Sequence, residues 1–191
     1  ILRKEDKMPQ AVTHILFPIL LVSLFRDFYL RKRDKKHFPL HYVLIAGLGG
    51  VLPDIDIIFS IILNLVGIQD WNIHKTFTHS LFLPIIFVLI YFLLKPVHKK
   101  AKICNLTKHK LELSKIFLVL AVGISIHIFL DSIFGERAFF FYPILINDYG
   151  INLISYLSKD LQNLFFPTLD GILLIIWLVY LELKHKISDF I

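Results

Sequence analysis

Apolar runs of about 20 residues recur along this chain, and at 1.5 Å per helical residue each can cross the roughly 30 Å hydrocarbon core of a bilayer. That leaves few folds open. In lipid every backbone N–H and C=O needs a partner within the protein, so runs of this length form helices. The composition agrees, with 56% of the 191 residues hydrophobic and a mean hydropathy of +0.68. The expected fold class is all-α, a polytopic membrane protein of about four to five transmembrane helices.

The first helix is expected over Pro9 to Leu30, the third over His79 to Leu94, the fourth over Ile116 to Phe134 and the fifth over Phe165 to Leu183, opened by Pro167. The second run, Tyr42 to Gly67, contains Gly49, Gly50 and Pro53. Proline removes a backbone donor and glycine loosens the turn, so a broken helix is expected around Pro53. The mixed segment Gly135 to Asn163 reads as interfacial, where tyrosine and phenylalanine are at home. Residues 1–8 read as a leader or expression remnant with no role in the fold, ahead of a single helical membrane domain over 9–191. No cleavable signal peptide is expected, because no small-residue cleavage site follows the first apolar run.

The formal charge of +6 would suit nucleic acid, but the lysines and arginines stand in short blocks between apolar runs. Five lie in residues 31–41 and seven in 95–115, and with Lys184 and Lys186 these make fourteen of the 21. Such blocks orient a membrane protein, placing both loops in the cytoplasm. The bilayer is therefore the expected partner and nucleic acid is not; oligomeric state is left open. Cys104 is the only cysteine, which excludes an internal disulfide.

Against this background the polar residues inside apolar segments stand out. Asp54 and Asp56 interrupt the second run, and an ionised carboxylate in a low-dielectric setting needs a counter-charge or a metal. His14 lies in the first helix, His74 and His79 precede the third, and His127 and Asp131 share one face of the fourth, four residues apart. With the basic loops in the cytoplasm, all seven converge on the extracytoplasmic side, while His37, His41, His98, His109 and His185 fall in basic segments. Taken singly, each has a plain reading: His14 as a satisfied buried residue, His127 and Asp131 as a mutual hydrogen bond. Asp170, placed in the first turn of the fifth helix, is explained by the helix dipole.

The ordered motifs Thr13-His14, Leu-Pro-Asp54-Ile-Asp56, His74-Lys-x-x-Thr-His79-Ser80 and His127-x-x-x-Asp131 closely resemble those of the YdjM-type membrane-bound metal-dependent hydrolases. The resemblance runs from about Met8 to Pro143. It implies a hydrolase without naming a substrate. The ligand order is also distantly similar to the α-helical zinc phospholipase C and nuclease group, although nothing after Asp131 supplies a third zinc site. One or two divalent transition-metal ions are thus expected, zinc first and manganese or iron as alternatives. The working assignment gives Asp56, His79, His127 and Asp131 to one ion and His14 with Asp131 to a second. Asp54 or His74 then serves as the catalytic orienter or proton carrier. The expected activity is metal-assisted hydrolysis of a phosphoester or lipid-like substrate.

Two other readings stay open. A metal-binding membrane protein without turnover would close its coordination shell, and a scaffold without metal would pair His127 with Asp131 and leave Asp54 and Asp56 apart. Aspartyl proteases, rhomboids and lipid phosphatases fit poorly, since none of their short motifs occurs here.

Overall fold

The computed structural model describes residues 11–30, 32–35, 37–67, 77–96, 111–135, 139–147 and 149–186. The described chain is helical, and no strand occurs among these residues. Helix α1 covers Ala11–Leu24 and runs on through a π turn, Phe25–Tyr29. A short α2, Lys32–Lys35, precedes α3, His41–Gly49, and a 3₁₀ turn at Leu52–Asp54 leads into α4, Ile55–Leu65. Then come α5, Phe82–Leu94, α6, Leu113–Phe134, a 3₁₀ turn at Leu153–Tyr156, and α7, Lys159–His185. The expected leader, residues 1–8, lies outside the described residues, as do His74, Lys75, Cys104 and most of the second basic loop.

Three helices are long and apolar enough to cross a membrane, Ala11–Tyr29, Leu113–Phe134 and Lys159–His185. The α3–α4 pair makes a fourth when taken as one span bent by 43°. Pro53, without an N–H, and the tight 3₁₀ turn around it break the helix where the sequence predicts. At 13 residues α5 reaches only about 20 Å. It starts at Phe82, later than expected, because residues 77–80 form a closed turn in which the Ser80 hydroxyl donates to the Phe77 carbonyl. In contrast α7 starts six residues early, at Lys159, and carries Pro167 inside it. Membrane helices tolerate such a proline. Lipid-facing side chains remain uncovered by protein, as in α7, where Ile175 is 62% exposed and Leu178 48%.

Lipid tails are as apolar as leucine, so burying apolar area drives helices together only weakly in a bilayer; close packing and polar contacts decide the arrangement. Glycines bring α1, α3 and α6 into backbone contact. A Cβ on Gly123 would stand 2.2 Å from the Ala46 carbonyl oxygen and 2.8 Å from Gly49 Cα. One on Gly50 would stand 2.0 Å from the His14 carbonyl oxygen. Pro18, four residues on, has no N–H to give that carbonyl, so α1 lacks one helical hydrogen bond where α3 presses in. Sequence reading takes Gly49 and Gly50 as loosening a turn, yet both backbones are right-handed and what the positions require is room.

Around this junction Ile19, Val22, Tyr42, Val43, Ala46 and Val119 form the core between α1, α3 and α6. Leu16 and Leu20 pack on Leu173 of α7, and Ile124 and Ile128 face Leu83 and Phe87 of α5. At the far end of α1, Asp27 gathers Arg26 at 2.6 Å, the Tyr180 hydroxyl and His185 at 3.5 Å, tying α1 to the end of α7. Thirteen residues, or about 20 Å of helix, separate this tie from His14.

The glycine junction makes a direct prediction. Gly123→Ala should lower stability in detergent by about 1–3 kcal/mol through overpacking. Gly171→Ala, whose added Cβ meets nothing within 4 Å, should leave stability level or raise it by up to about 1 kcal/mol. Thermal unfolding of the two proteins side by side checks this, and a Gly123→Ala protein as stable as its parent contradicts it.

Candidate metal centre

Gly123, His127 and Asp131 stand at i, i+4 and i+8 on one face of α6. Because Gly123 lets the α3 backbone in, the Gly50 carbonyl oxygen comes to 2.7 Å from His127 Nδ1. A carbonyl only accepts, so Nδ1 carries the proton and Nε2 presents its lone pair to the interior. His79, in the turn ahead of α5, is held in the same way. Its Nδ1 lies 3.1 Å from the Thr78 hydroxyl oxygen, which in turn donates to Asp56 Oδ2, and 3.5 Å from that carboxylate oxygen itself. Each imidazole is thus oriented from behind.

The two Nε2 atoms meet at 3.2 Å. Asp54 Oδ1 lies 3.5 Å from both, and Asp131 Oδ2 lies 3.3 Å from His127 and 3.6 Å from His79. On the other side of the Asp131 carboxylate, Oδ1 stands 3.2 Å from His14 Nε2. The His14 ring stacks on that of His127 with centroids 3.9 Å apart. His14, His79, His127, Asp56 and Asp131 are all buried, while the Asp54 side chain is 23% exposed.

Six of the seven residues singled out in the sequence therefore come together, from five separate elements; His74 lies outside the described residues. Two sets of three offer ligand atoms within 4.8 Å of one another: Asp54, His79 and His127, and His14, His127 and Asp131. A buried histidine and aspartate cluster that can hold a metal ion is thus present. Asp54 and Asp56 divide as a helical pair. Because residues 52–54 form a 3₁₀ turn and Ile55 opens α4, side chains two apart diverge. Asp54 turns to the Nε2 side of His79 and Asp56 to the Nδ1 side, whereas the working assignment gives Asp56 to the ion.

Burial works against a charged His79, but Asp54, Asp56 and Asp131 outweigh it and raise its imidazolium to about 9. The cause is plain in the charges: three carboxylates face three histidines, leaving −3 when the imidazoles are neutral. A cluster of this kind takes up positive charge.

Sequence reading missed the Gly50 carbonyl and the Thr78 hydroxyl as orienting groups. Thr78 stands beside His79 in its motif, which is the only signal available for it; no signal in the sequence distinguishes a backbone carbonyl.

No curated protein matches the chain, and no solved structure does. The model of the YdjM inner membrane protein family matches residues 8–186, spanning nearly the whole chain and including every motif residue of the cluster. The chain is accordingly an integral membrane protein and belongs to the YdjM inner membrane protein family.

Proposed function

We propose that this protein is a membrane-bound metal-dependent hydrolase, acting on a phosphoester or lipid-like substrate at the extracytoplasmic side of the membrane. The observation that carries the proposal is the triangle of Asp54 Oδ1, His79 Nε2 and His127 Nε2, with sides of 3.2, 3.5 and 3.5 Å. A tetrahedral ion with bonds of about 2.0–2.1 Å has edges of about 3.3–3.4 Å, so the triangle fits one face of such a site. Three protein ligands with a fourth position left for water is the arrangement of catalytic zinc sites, and the imidazole and carboxylate donors suit zinc, with manganese or iron as alternatives. When bound, a divalent ion supplies Lewis acidity and lowers the pKa of water toward about 7.

In this reading Asp54, His79 and His127 hold the ion, while Asp56 and the Gly50 carbonyl keep the two rings pointed at it. His127 has one free lone pair and serves one ion at a time. A second ion therefore falls to His14 Nε2 and Asp131 Oδ1, with the Asp131 carboxylate reaching both sides. Charge argues for the pair of ions. One dication leaves the cluster at −1 and repels an anionic phosphoester, whereas two bring it to +1. Asp54, at the exposed edge, stands where substrate first arrives. The alternative, a metal-binding protein without turnover, draws on the burial of the other donors and differs in predicting no hydrolysis.

Elemental analysis of the purified protein should find zinc, manganese or iron, and added Zn²⁺ should raise its melting temperature. His127→Ala should lose the metal while still inserting in the membrane. A metal-free protein indifferent to Zn²⁺ and Mn²⁺ would refute the reading; bound metal without turnover on any of a panel of phosphodiesters and phospholipids would favour the non-catalytic alternative.

Asp54→Asn should weaken Zn²⁺ binding more than Asp56→Asn, for which a loss of about 10–100-fold is expected of an orienting group. Competition with a chromophoric chelator measures both, and the opposite order would return Asp56 to the ion.

For sidedness, Lys75→Cys in a Cys104→Ser background should react with a membrane-impermeant maleimide applied from the extracytoplasmic side. Labelling from the cytoplasm alone would invert the orientation.

A further inference from the structure

Asp170 is a second intramembrane carboxylate that the proposed centre does not use. It lies about three turns inside α7, well past Lys159, so the dipole of a first turn does not account for it. It is 7% exposed, and its Oδ1 accepts from the Thr13 hydroxyl, itself buried at 1%. Its Oδ2 is buried with no hydrogen-bond partner among protein groups. A carboxylate placed this way inside a membrane bundle calls for a further ligand.

The residue after Thr13 is His14, whose Nδ1 is also buried without a partner. His14 differs here from its two neighbours in the cluster. His127 Nδ1 has the Gly50 carbonyl and His79 Nδ1 has Thr78 and Asp56, whereas His14 has a polar neighbour only at Nε2, Asp131 Oδ1 at 3.2 Å. Histidines that bind metal almost always donate their other ring N–H to a carboxylate, a carbonyl or water. Asp170 offers a free acceptor oxygen and is fastened to the adjoining residue of the same helix. It is not itself among the groups whose ligand atoms lie within 4.8 Å of one another. Its action on His14 therefore needs an intermediary.

We propose that Asp170 is the positioning carboxylate of His14, acting through the Thr13 hydroxyl and a buried water that accepts from His14 Nδ1–H and donates to Asp170 Oδ2. One water with these two partners satisfies both orphaned atoms, and a polar site closed off by protein is where such waters are held. The effect is to fix the tautomer that leaves the His14 Nε2 lone pair facing Asp131. The ion on the His14 side then depends on α7, which otherwise has no residue in the cluster. This inference rests on the metal-binding reading above.

The test is Zn²⁺ affinity, measured by chelator competition on the full chain in detergent, with apo-protein melting temperature followed alongside. Asp170→Asn should weaken the ion bound at His14 about 10-fold or more. Thr13→Val should do the same, and Thr13→Ser, which keeps the hydroxyl, should restore affinity. In a His14→Ala background Asp170→Asn should change nothing further. Wild-type affinity in both Asp170→Asn and Thr13→Val, or the same loss with and without His14, would overturn the proposal in favour of a purely structural tie. If Asp170→Asn does not fold, the Thr13→Val and Thr13→Ser pair decides it alone. Absence of Zn²⁺ binding by the parent protein would instead overturn the metal reading, and this inference with it.

Discussion

The contact of backbone on backbone between α3 and α6 is the constraint on which the rest of the centre depends. Gly49 and Gly50 on one side and Gly123 on the other bring the chains closer than any side chain permits. Only at that separation does the Gly50 carbonyl reach His127 and set its ring. His127 in turn is the residue common to both groups of side chains that can hold a metal ion. A soluble protein would enforce such a junction by burying apolar area around it. Here lipid competes on equal terms for the outer faces, and fit together with buried polar contacts does that work.

Electrostatics then explains why so polar a cluster can persist at this depth. An isolated carboxylate in a low-dielectric medium is strongly disfavoured, and three within contact of three histidines would not remain ionised without compensation. At His127 the Gly50 carbonyl behind the ring accepts from Nδ1–H, and the forward Nε2 offers a lone pair rather than a hydrogen. That lone pair faces carboxylate oxygens of Asp131 at 3.3 Å and Asp54 at 3.5 Å, acceptor against acceptor. Such an arrangement is stable when positive charge lies between the acceptors, as a bound cation would supply. The pairing of His127 with Asp131 is real, but Asp54 lies as close to His127 as to His79, which a self-contained pair would not require.

Much of this was legible in the sequence, for an identifiable reason. A membrane span is a property of composition along one dimension, so the helices, the break at Pro53 and the polar residues out of place in apolar runs could all be read directly. Rotation and close approach are not written that way. Whether Asp54 or Asp56 faces the histidines turns on residues 52–54 being a 3₁₀ turn rather than extended, a choice made by the packing around Pro53. Gly123 is one small residue in an apolar run until Ala46 and Gly49 are set against it. From sequence Asp170 reads as an ordinary first-turn acid because Pro167 reads as a helix start. The polar residues from Lys159 onward extend α7 backward by six residues and move Asp170 into its interior.

The donors also differ in how firmly they are held. His14, His127 and Asp131 project from α1 and α6, helices packed against each other and against α3. His79 sits in a turn closed by Ser80 and pinned where the Leu81 N–H donates to the Phe140 carbonyl at 2.9 Å. Asp54 ends a 3₁₀ turn at a 43° bend; buried Pro53, with Leu52 packed on Ile124 and Ile128, holds the turn itself, but α4 beyond it carries exposed side chains such as Ile58, Phe59 and Ile62. Rigid helices set geometry better than turns do, and a donor at a hinge is the one that shifts when something enters. The side chain that completes the triangle is also the most exposed of the six. In the proposed hydrolase the last ligand would therefore stand at the open edge of the site, and the broken helix is what puts a carboxylate there.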